Sequence, residues 1–583
     1  MKSIPIILLV LIGLLLASVY SHDILITEKG QKSLDKLDKA AATTLQHGEN
    51  IQLSCDVCQI GASLLEDFIK KNASLTEIIK GLSDLCIASK EEQPEVCTGI
   101  LNNYVPIIVD VLIQSDFTPS QLCGYFKICS ATGSSESSSI SNSFDNEYRQ
   151  ESFNKPTMKV NKKPQYKDLS NQEPLVKKFK GNDSIGYILQ ISDVHFDPDY
   201  KVGSNPNCGR PLCCRDGVGS AGPIGHYLCD IPFSTVELIF QHLATLTDQL
   251  DFIVWTGDNP PHNVWEQSQA QQELATATLA QVIQKTFPNT PVLPSLGNHE
   301  AYPADQYVLP NSQWLLDSIY TYWAPWLDAD ALELVKERGY YTSLIKPGLR
   351  VMSLNTLEND MINFYNLLPT YLKGPNNQSD WMINTLEQAQ SNGEKVLIIG
   401  HIPCTVKSAS TDGWCAMYEQ VVGQFSDVII GQLYGHTHYD QFSVFSDVAT
   451  HTIPTGMNYI VPSLTTYQNH EPGYRIYQFD YSTNQIVNYY QYHANITEAN
   501  ETGALNFQLT YSAKELYNMD DLSPTSWTKV ANQMKTNSTM FNSYFENLSS
   551  SPIKESCDQA CQTKWICQIF GITSSEFDKC YGV

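Results

Sequence analysis

The chain has 583 residues, more than one ordinary domain needs and enough for three or four. Apolar residues make up 42% and aromatics 10%, which excludes global disorder; 37 Lys and Arg against 62 Asp and Glu leave a formal net charge of −25. A field of that sign repels polyanions, so a nucleic-acid groove is excluded as the main surface.

In chain order, Lys2 precedes an apolar run from Ile4 to Ala17, followed by small residues ending Val19-Tyr20-Ser21. This pattern predicts a secretory signal peptide over residues 1–21. No later segment reads as the roughly 18 uncharged apolar residues of a membrane span. Removing Lys2 with the leader takes the mature charge to −26. Sixteen cysteines and seven Asn-x-Ser/Thr sequons (Asn72, Asn182, Asn377, Asn495, Asn500, Asn537 and Asn547) predict a disulfide-bonded glycoprotein that is secreted or lysosomal.

Six cysteines (Cys55, Cys58, Cys86, Cys97, Cys123 and Cys129) are interleaved with helical periodicity, as in Leu64, Leu65, Phe68, Ile69 and then Leu75, Ile78, Ile79, Leu82. Six cysteines allow fifteen connectivities, and spacing alone does not choose among them. Pro106 is expected to start or kink a helix. This all-α unit is placed at 48–132. Residues 133–182 are Ser-rich and then Lys-rich, with eight Lys in 155–180 against Asp168 and Glu173, and read as a flexible linker.

From about Ile185, β-rich runs alternate with helical stretches. The runs are Ile185–Ile191, Phe252–Trp255, Pro291–Leu296, Val351–Leu354, Val396–Ile399 and Val428–Ile430; helices are expected around 234–248, 265–285 and 379–392. The pattern predicts an α/β sandwich over 183–495. Residues 496–583 read as a polar, partly helical appendage closed by Cys557, Cys561, Cys567 and Cys580.

Five clusters follow the apolar runs: Asp193-Val194-His195, Gly257-Asp258-Asn259, Gly297-Asn298-His299-Glu300, Gly400-His401 and Gly435-His436-Thr437-His438. Residues just past the C-terminal ends of strands converge on one crevice. They supply carboxylates, imidazoles and an amide oxygen, donors suited to zinc, manganese or iron, and no thiolates. Such a set can hold two divalent ions about 3.5–4 Å apart, the arrangement for phosphoryl transfer.

The order of these motifs resembles the calcineurin-like metallophosphoesterase superfamily, which implies a four-layer α/β/β/α sandwich. The resemblance also implies one metal held by Asp193, His195, Asp258 and His438, and another by Asp258, Asn298, His401 and His436, with Asp258 bridging. Purple acid phosphatases of that superfamily carry a Tyr three residues after the Gly-Asp aspartate; here that residue is Pro261, and His195 stands where their first motif has Gly. Two Zn2+ ions are therefore expected.

The six-cysteine unit separately resembles a saposin B-type domain, which implies the pairs Cys55–Cys129, Cys58–Cys123 and Cys86–Cys97 and contact with membrane lipid. Together the two units resemble the acid sphingomyelinase family, a likeness extending to Cys208 through Cys214-Arg215, Cys229-Asp230, the stretch 257–265 and Gly400-His401-Ile402-Pro403. The pairs Cys208–Cys213, Cys214–Cys229, Cys557–Cys561 and Cys567–Cys580 follow from that resemblance, leaving Cys404 and Cys415 to pair with each other. The fold expected is thus a multidomain one: a saposin-like helical domain, an α/β/β/α sandwich and a small helical C-terminal region.

The family implies hydrolysis of sphingomyelin to ceramide and phosphocholine by a hydroxide that two metals activate. The saposin-like unit would make peripheral contact with the membrane, and no nucleic acid is expected as a partner. His299 is the candidate acid for the leaving alkoxide, and His262 is placed to contact the phosphate or assist. Glu300 is expected to orient His299 or a ligand. The competing activity is that of the sphingomyelinase-like phosphodiesterases, which act on soluble nucleotides or other phosphodiesters and lack a saposin-type unit.

Overall fold

The computed structural model describes residues 55–70, 73–89, 92–115, 117–126, 184–368, 377–405, 410–550 and 556–582. The expected signal peptide, the linker at 133–182, and the sequons Asn72 and Asn182 lie outside them.

The N-terminal unit is all helical: Cys55–Lys70, Leu75–Ser89, Pro94–Gln114 and Pro119–Tyr125. The third helix begins at Pro94, whose missing N–H costs nothing in the first turn. It then runs through Pro106, so the expectation of a helix starting there is corrected: the flanking apolar turns hold the helix where proline removes one hydrogen bond. A Thr118–Gln121 capping box starts the fourth. The third helix is also long and apolar enough to cross a membrane by length and composition, a feature missed in the sequence. Here Val96, Ile100, Leu101, Tyr104 and Val105 are instead buried in a protein core.

That core is shared. Leu65, Ile78, Leu82, Ile100 and Tyr104 pack in one cluster with Leu212, Trp265, Phe364 and Tyr467 of the following domain. Tyr104 Oη donates to Ala304 O (3.2 Å) and Asn103 Nδ2 to Val264 O (3.0 Å). A Cβ on Gly99 would lie 2.0 Å from Trp265 O, so only glycine permits this approach. The helical unit therefore rests on the loops around residues 262–265 and 302–305.

Twelve strands build the two large sheets: β1 (Ile185–Ile191), β2 (Phe252–Trp255), β3 (Val292–Pro294), β4 (Tyr341–Lys346), β5 (Leu349–Ser353), β6 (Lys395–Ile399), β7 (Ile429–Tyr434), β8 (Gln441–Ser446), β9 (Pro454–Ile460), β10 (Gly473–Asp480), β11 (Gln485–Ala494) and β12 (Phe507–Ser512). One sheet runs β12-β11-β10-β1-β2-β3 and the other β8-β9-β7-β6-β5-β4. The pairs β1–β2, β2–β3, β5–β6, β6–β7 and β7–β9 are parallel. Helices at Phe233–Ala244, Gln269–Thr286 and Gln378–Asn392 occupy the three regions where helical periodicity was read.

Strand alternation explains the layers. In β6, Leu397 and Ile399 join the core between the sheets, whereas Val396 and Ile398 face Met382, Leu386, Met417 and Val421 of the helices Gln378–Asn392 and Asp412–Gln424. The C-terminal region is not a detached appendage. Its strand β12 pairs with β11, and Trp527, Phe541 and Tyr544 belong to the main core. Its apolar residues recur sparsely among polar ones, which disguised a packed face as a polar tail.

Candidate metal centre

The five clusters all fall just beyond C-terminal strand ends: Asp193 and His195 after β1, Asp258 after β2, Asn298 after β3, His401 after β6, and His436 and His438 after β7. Parallel strands in both sheets thus aim their ends at one crevice. Five of these residues have left-handed backbone: Asp193 (φ 51°), His195 (39°), Asp258 (62°), His436 (71°) and His438 (64°). Each such non-glycine residue costs on the order of 1–3 kcal/mol, and strain of this kind collects where function requires a geometry. The adjoining glycines leave room for the acids. A Cβ on Gly297 would sit 2.1 Å from Asp258 Oδ1, and one on Gly435 2.5 Å from Asp193 Oδ2.

Two donor groups result. In the first, His438 Nε2 lies 3.2 Å from His195 Nε2 and 3.5 Å from Asp193 Oδ1, and His195 Nε2 lies 3.4 Å from Asp258 Oδ2. In the second, Asn298 Oδ1 lies 2.9 Å from both His401 Nε2 and His436 Nδ1, and His401 Nε2 lies 3.0 Å from Asp258 Oδ2. The same oxygen of Asp258 therefore faces both groups. Ligand bonds of about 2.0–2.1 Å imply donor–donor edges of roughly 3.0–3.4 Å around one ion, so these spacings fit a divalent metal.

Surrounding contacts orient the donors. His195 Nδ1 meets Pro260 O at 2.7 Å and His401 Nδ1 meets Thr256 O at 2.6 Å, which leaves each Nε2 lone pair facing the crevice. Asn298 Nδ2 donates to Asp305 Oδ1 (2.7 Å), turning its Oδ1 towards the histidines. Glu300 accepts from the backbone N–H of Gly297 (2.6 Å), Asp258 (3.0 Å) and Asn259 (2.8 Å), so it ties the second motif to the third. It holds the loop of Asp258 rather than touching His299.

The field favours positive charge between the carboxylates. Burial opposes a charged His195, but its hydrogen bond to Asp193 and the nearby Asp258 raise its pKa to about 9. Burial likewise opposes a charged His401, yet Asp258 and Asp193 raise it to about 10. His299 is lowered to about 3 by burial and by the neighbouring His195 and His401, with Asp258 acting in the opposite sense. Its Nδ1 has no hydrogen-bond partner among the described residues, and its ring lies 4.8 Å from those of His195 and His262.

His262 enters the same crevice, with its ring centroid 4.0 Å from that of His195. Sequence reasoning missed the residue that holds it. Asp230 accepts from His262 N (2.7 Å), faces His262 Nδ1 at 2.9 Å, and is itself bonded by Thr465 Oγ1 (3.0 Å). Burial raises the Asp230 carboxyl to about 7. Tyr467 stacks on His262 at 4.2 Å. Asp230 directly follows a half-cystine, and that adjacency was the one signal available. Asp305 and Tyr467 carried none.

Disulfides join Cys86–Cys97, Cys208–Cys213, Cys214–Cys229, Cys404–Cys415, Cys557–Cys561 and Cys567–Cys580. Cys123 is disulfide-bonded, while Cys129 and the side chains of Cys55 and Cys58 fall outside the described set. Among the sequons, Asn377, Asn495 and Asn537 are exposed and Asn547 is half-buried. Asn500 is pinned: its Oδ1 accepts from Ile224 N (2.9 Å) and its Nδ2 donates to Gly225 O (3.0 Å).

Comparison with known proteins agrees with this architecture. Residues 53–86 match saposin-like type B, region 1; residues 186–440 match the calcineurin-like phosphoesterase family; residues 447–582 match the acid sphingomyelin phosphodiesterase C-terminal region. Sphingomyelin phosphodiesterase B of Dictyostelium discoideum is 32% identical over 90% of this chain and 82% of its own length. Sphingomyelin phosphodiesterase of Homo sapiens is 31% identical over 88% and 80%. Cyclic GMP-AMP phosphodiesterase SMPDL3A of Mus musculus is 31% identical over 68% and 92%. A metallophosphoesterase domain implies divalent metal ions, and the donor spacings fit them. The chain belongs to the sphingomyelin phosphodiesterase family, hydrolases that join a saposin-like unit to a calcineurin-like metallophosphoesterase domain.

Proposed function

We propose that the protein hydrolyses sphingomyelin to ceramide and phosphocholine in an acidic secreted or lysosomal setting, with two Zn2+ ions at the centre. The observation that carries this reading is the shared Asp258 Oδ2 between two donor groups, beside a saposin-like unit packed on the loops that bear His262 and Asp305. Asp193, His195, Asp258 and His438 would hold one ion, and Asp258, Asn298, His401 and His436 the other. Two bound ions supply an activated water and neutralise charge on the phosphoryl oxygens.

The remaining chemistry belongs to the chain's own groups. His299 gives its proton to the departing ceramide oxygen, because an alkoxide is a poor leaving group. Its pKa is depressed by burial and adjacent positive rings; an anionic phosphodiester placed beside it acts in the opposite direction. Asp230 fixes the ring of His262, which contacts a phosphoryl oxygen. The saposin-like helices, with Leu75, Ile87 and Ile113 exposed, bring the lipid to the crevice. The division of the chain is 48–132, 183–495 and 496–583, the last packed into the core of the second, with glycans on the exposed sequons.

Phosphocholine release from sphingomyelin liposomes at pH 5, measured beside a soluble phosphodiester and with or without a chelator, tests the proposal. Chelator-sensitive release from liposomes is expected. Turnover of the soluble ester alone would move the assignment to the nucleotide-type relatives.

A further inference from the structure

A second cluster of metal-ligating side chains lies away from the crevice. Ligand atoms of Glu419, His451 and Glu576 all lie within 4.8 Å of one another, with His451 Nδ1 3.4 Å from Glu576 Oε1. The three residues come from three elements: the helix Asp412–Gln424, the turn between β8 and β9, and the C-terminal helix Ser574–Tyr581. β9 pairs parallel with β7, whose C-terminal end carries His436, so the turn that precedes β9 stands at the opposite end of that sheet.

The cluster has the features of a binding site. Glu419 is 3% exposed, so its carboxylate joins the cluster from the protein side while His451 stands at the surface. Glu576 divides its oxygens: Oε2 accepts from the N–H groups of Ile572 (3.0 Å) and Thr573 (2.8 Å), while Oε1 faces His451 Nδ1 at 3.4 Å. One oxygen caps the helix and the other faces the cluster. His451 is partly exposed, which leaves a route for an ion and for a water to complete its coordination. One imidazole nitrogen with two carboxylates is a donor set for zinc rather than calcium, which takes oxygen ligands.

We propose that Glu419, His451 and Glu576 bind a third zinc ion, which clips the C-terminal helix to the catalytic domain. The site shares no residue with the dinuclear centre and does not depend on the substrate assigned above. It lies where Ser574 N and Oγ already donate to Asp412 Oδ1 (3.1 and 3.2 Å), so the ion closes a seam between two segments some 160 residues apart. Its role is structural, because three protein ligands on two helices and a turn tie the end of the chain down.

The test uses the full-length protein equilibrated with ZnCl2, desalted and analysed for zinc per chain, beside His451→Ala and Glu576→Gln. Glutamine keeps an oxygen for the helix cap, so folding of the second variant is not at stake. Each variant is expected to carry one zinc fewer than wild type, to melt at a lower temperature in zinc, and to keep wild-type turnover. Equal zinc content in wild type and Glu576→Gln would overturn the proposal. A zinc lost together with turnover would also overturn it, since that ion would belong to the dinuclear centre. Glu419→Gln gives a third, independent count should His451→Ala fail to fold.

Discussion

His299 and His262 lie in the same crevice but are held differently, and this difference is testable one residue at a time. His299 Nδ1 has no partner among the described residues, whereas His262 is locked to Asp230 through both its backbone N–H and Nδ1. Replacing His299 by Ala is expected to leave the metal content intact and lower kcat about 10²–10⁴-fold, the usual worth of a positioned acid. Metal loss in that variant would show His299 to be a ligand. Asp230→Asn is expected to lower kcat about 10–100-fold at unchanged metal content, because it weakens the hold on His262 without touching a donor atom. Gly297→Ala should instead cost metal, since the added Cβ lands 2.1 Å from Asp258 Oδ1; elemental analysis reads that directly.

The strand-end motifs were legible because each follows a short apolar run and each is compact in sequence. The elements that support them were not. β10, β11 and β12 are polar on alternate residues and rich in Tyr, as in Tyr474, Tyr477 and Tyr489, and were not read as strands. Their burial arises from a second layer that periodicity within one segment does not reveal. The helix Pro94–Gln114 makes the complementary point: its apolar length suits a membrane, but Gly99 and Tyr104 seat it on Trp265 and Ala304. Gly99→Ala places a Cβ 2.0 Å from a backbone oxygen that cannot move aside alone. The variant is expected to lose thermal stability and to hydrolyse liposomal sphingomyelin less well relative to a soluble phosphodiester. An equal loss on both substrates would mean that the docking serves the fold and not the delivery of lipid.

For the whole molecule, charge and acidity are linked. Burial raises the Glu471 carboxyl from its ordinary 4.5 to about 7, with the N–H of Ile496 and the hydroxyl of Tyr227 opposing that rise. The folded state therefore binds this proton more tightly than the unfolded chain. Its contribution is fully present below about pH 4.5 and is lost as pH rises through about 7. Thermal unfolding followed from pH 5 to pH 7.5 should show a midpoint that falls with pH, and Glu471→Gln should flatten that slope. The net charge of −25 acts in the same direction, because protonating acids at low pH relieves self-repulsion.

The sequence by itself determined the chemistry: which donors exist, that they follow β runs, and that the cysteines form an even set able to pair. These are local properties, written within a few adjacent residues at a time. Only the tertiary structure decided that Asp258 presents one oxygen to both donor groups, that Asp230 reaches His262 from 32 residues away, and that Glu419, His451 and Glu576 meet at all. It also decided that the C-terminal region shares the main core. The physical reason is the same in each case: contact between distant segments depends on how two sheets and their covering helices stack, and no window along the chain contains both partners.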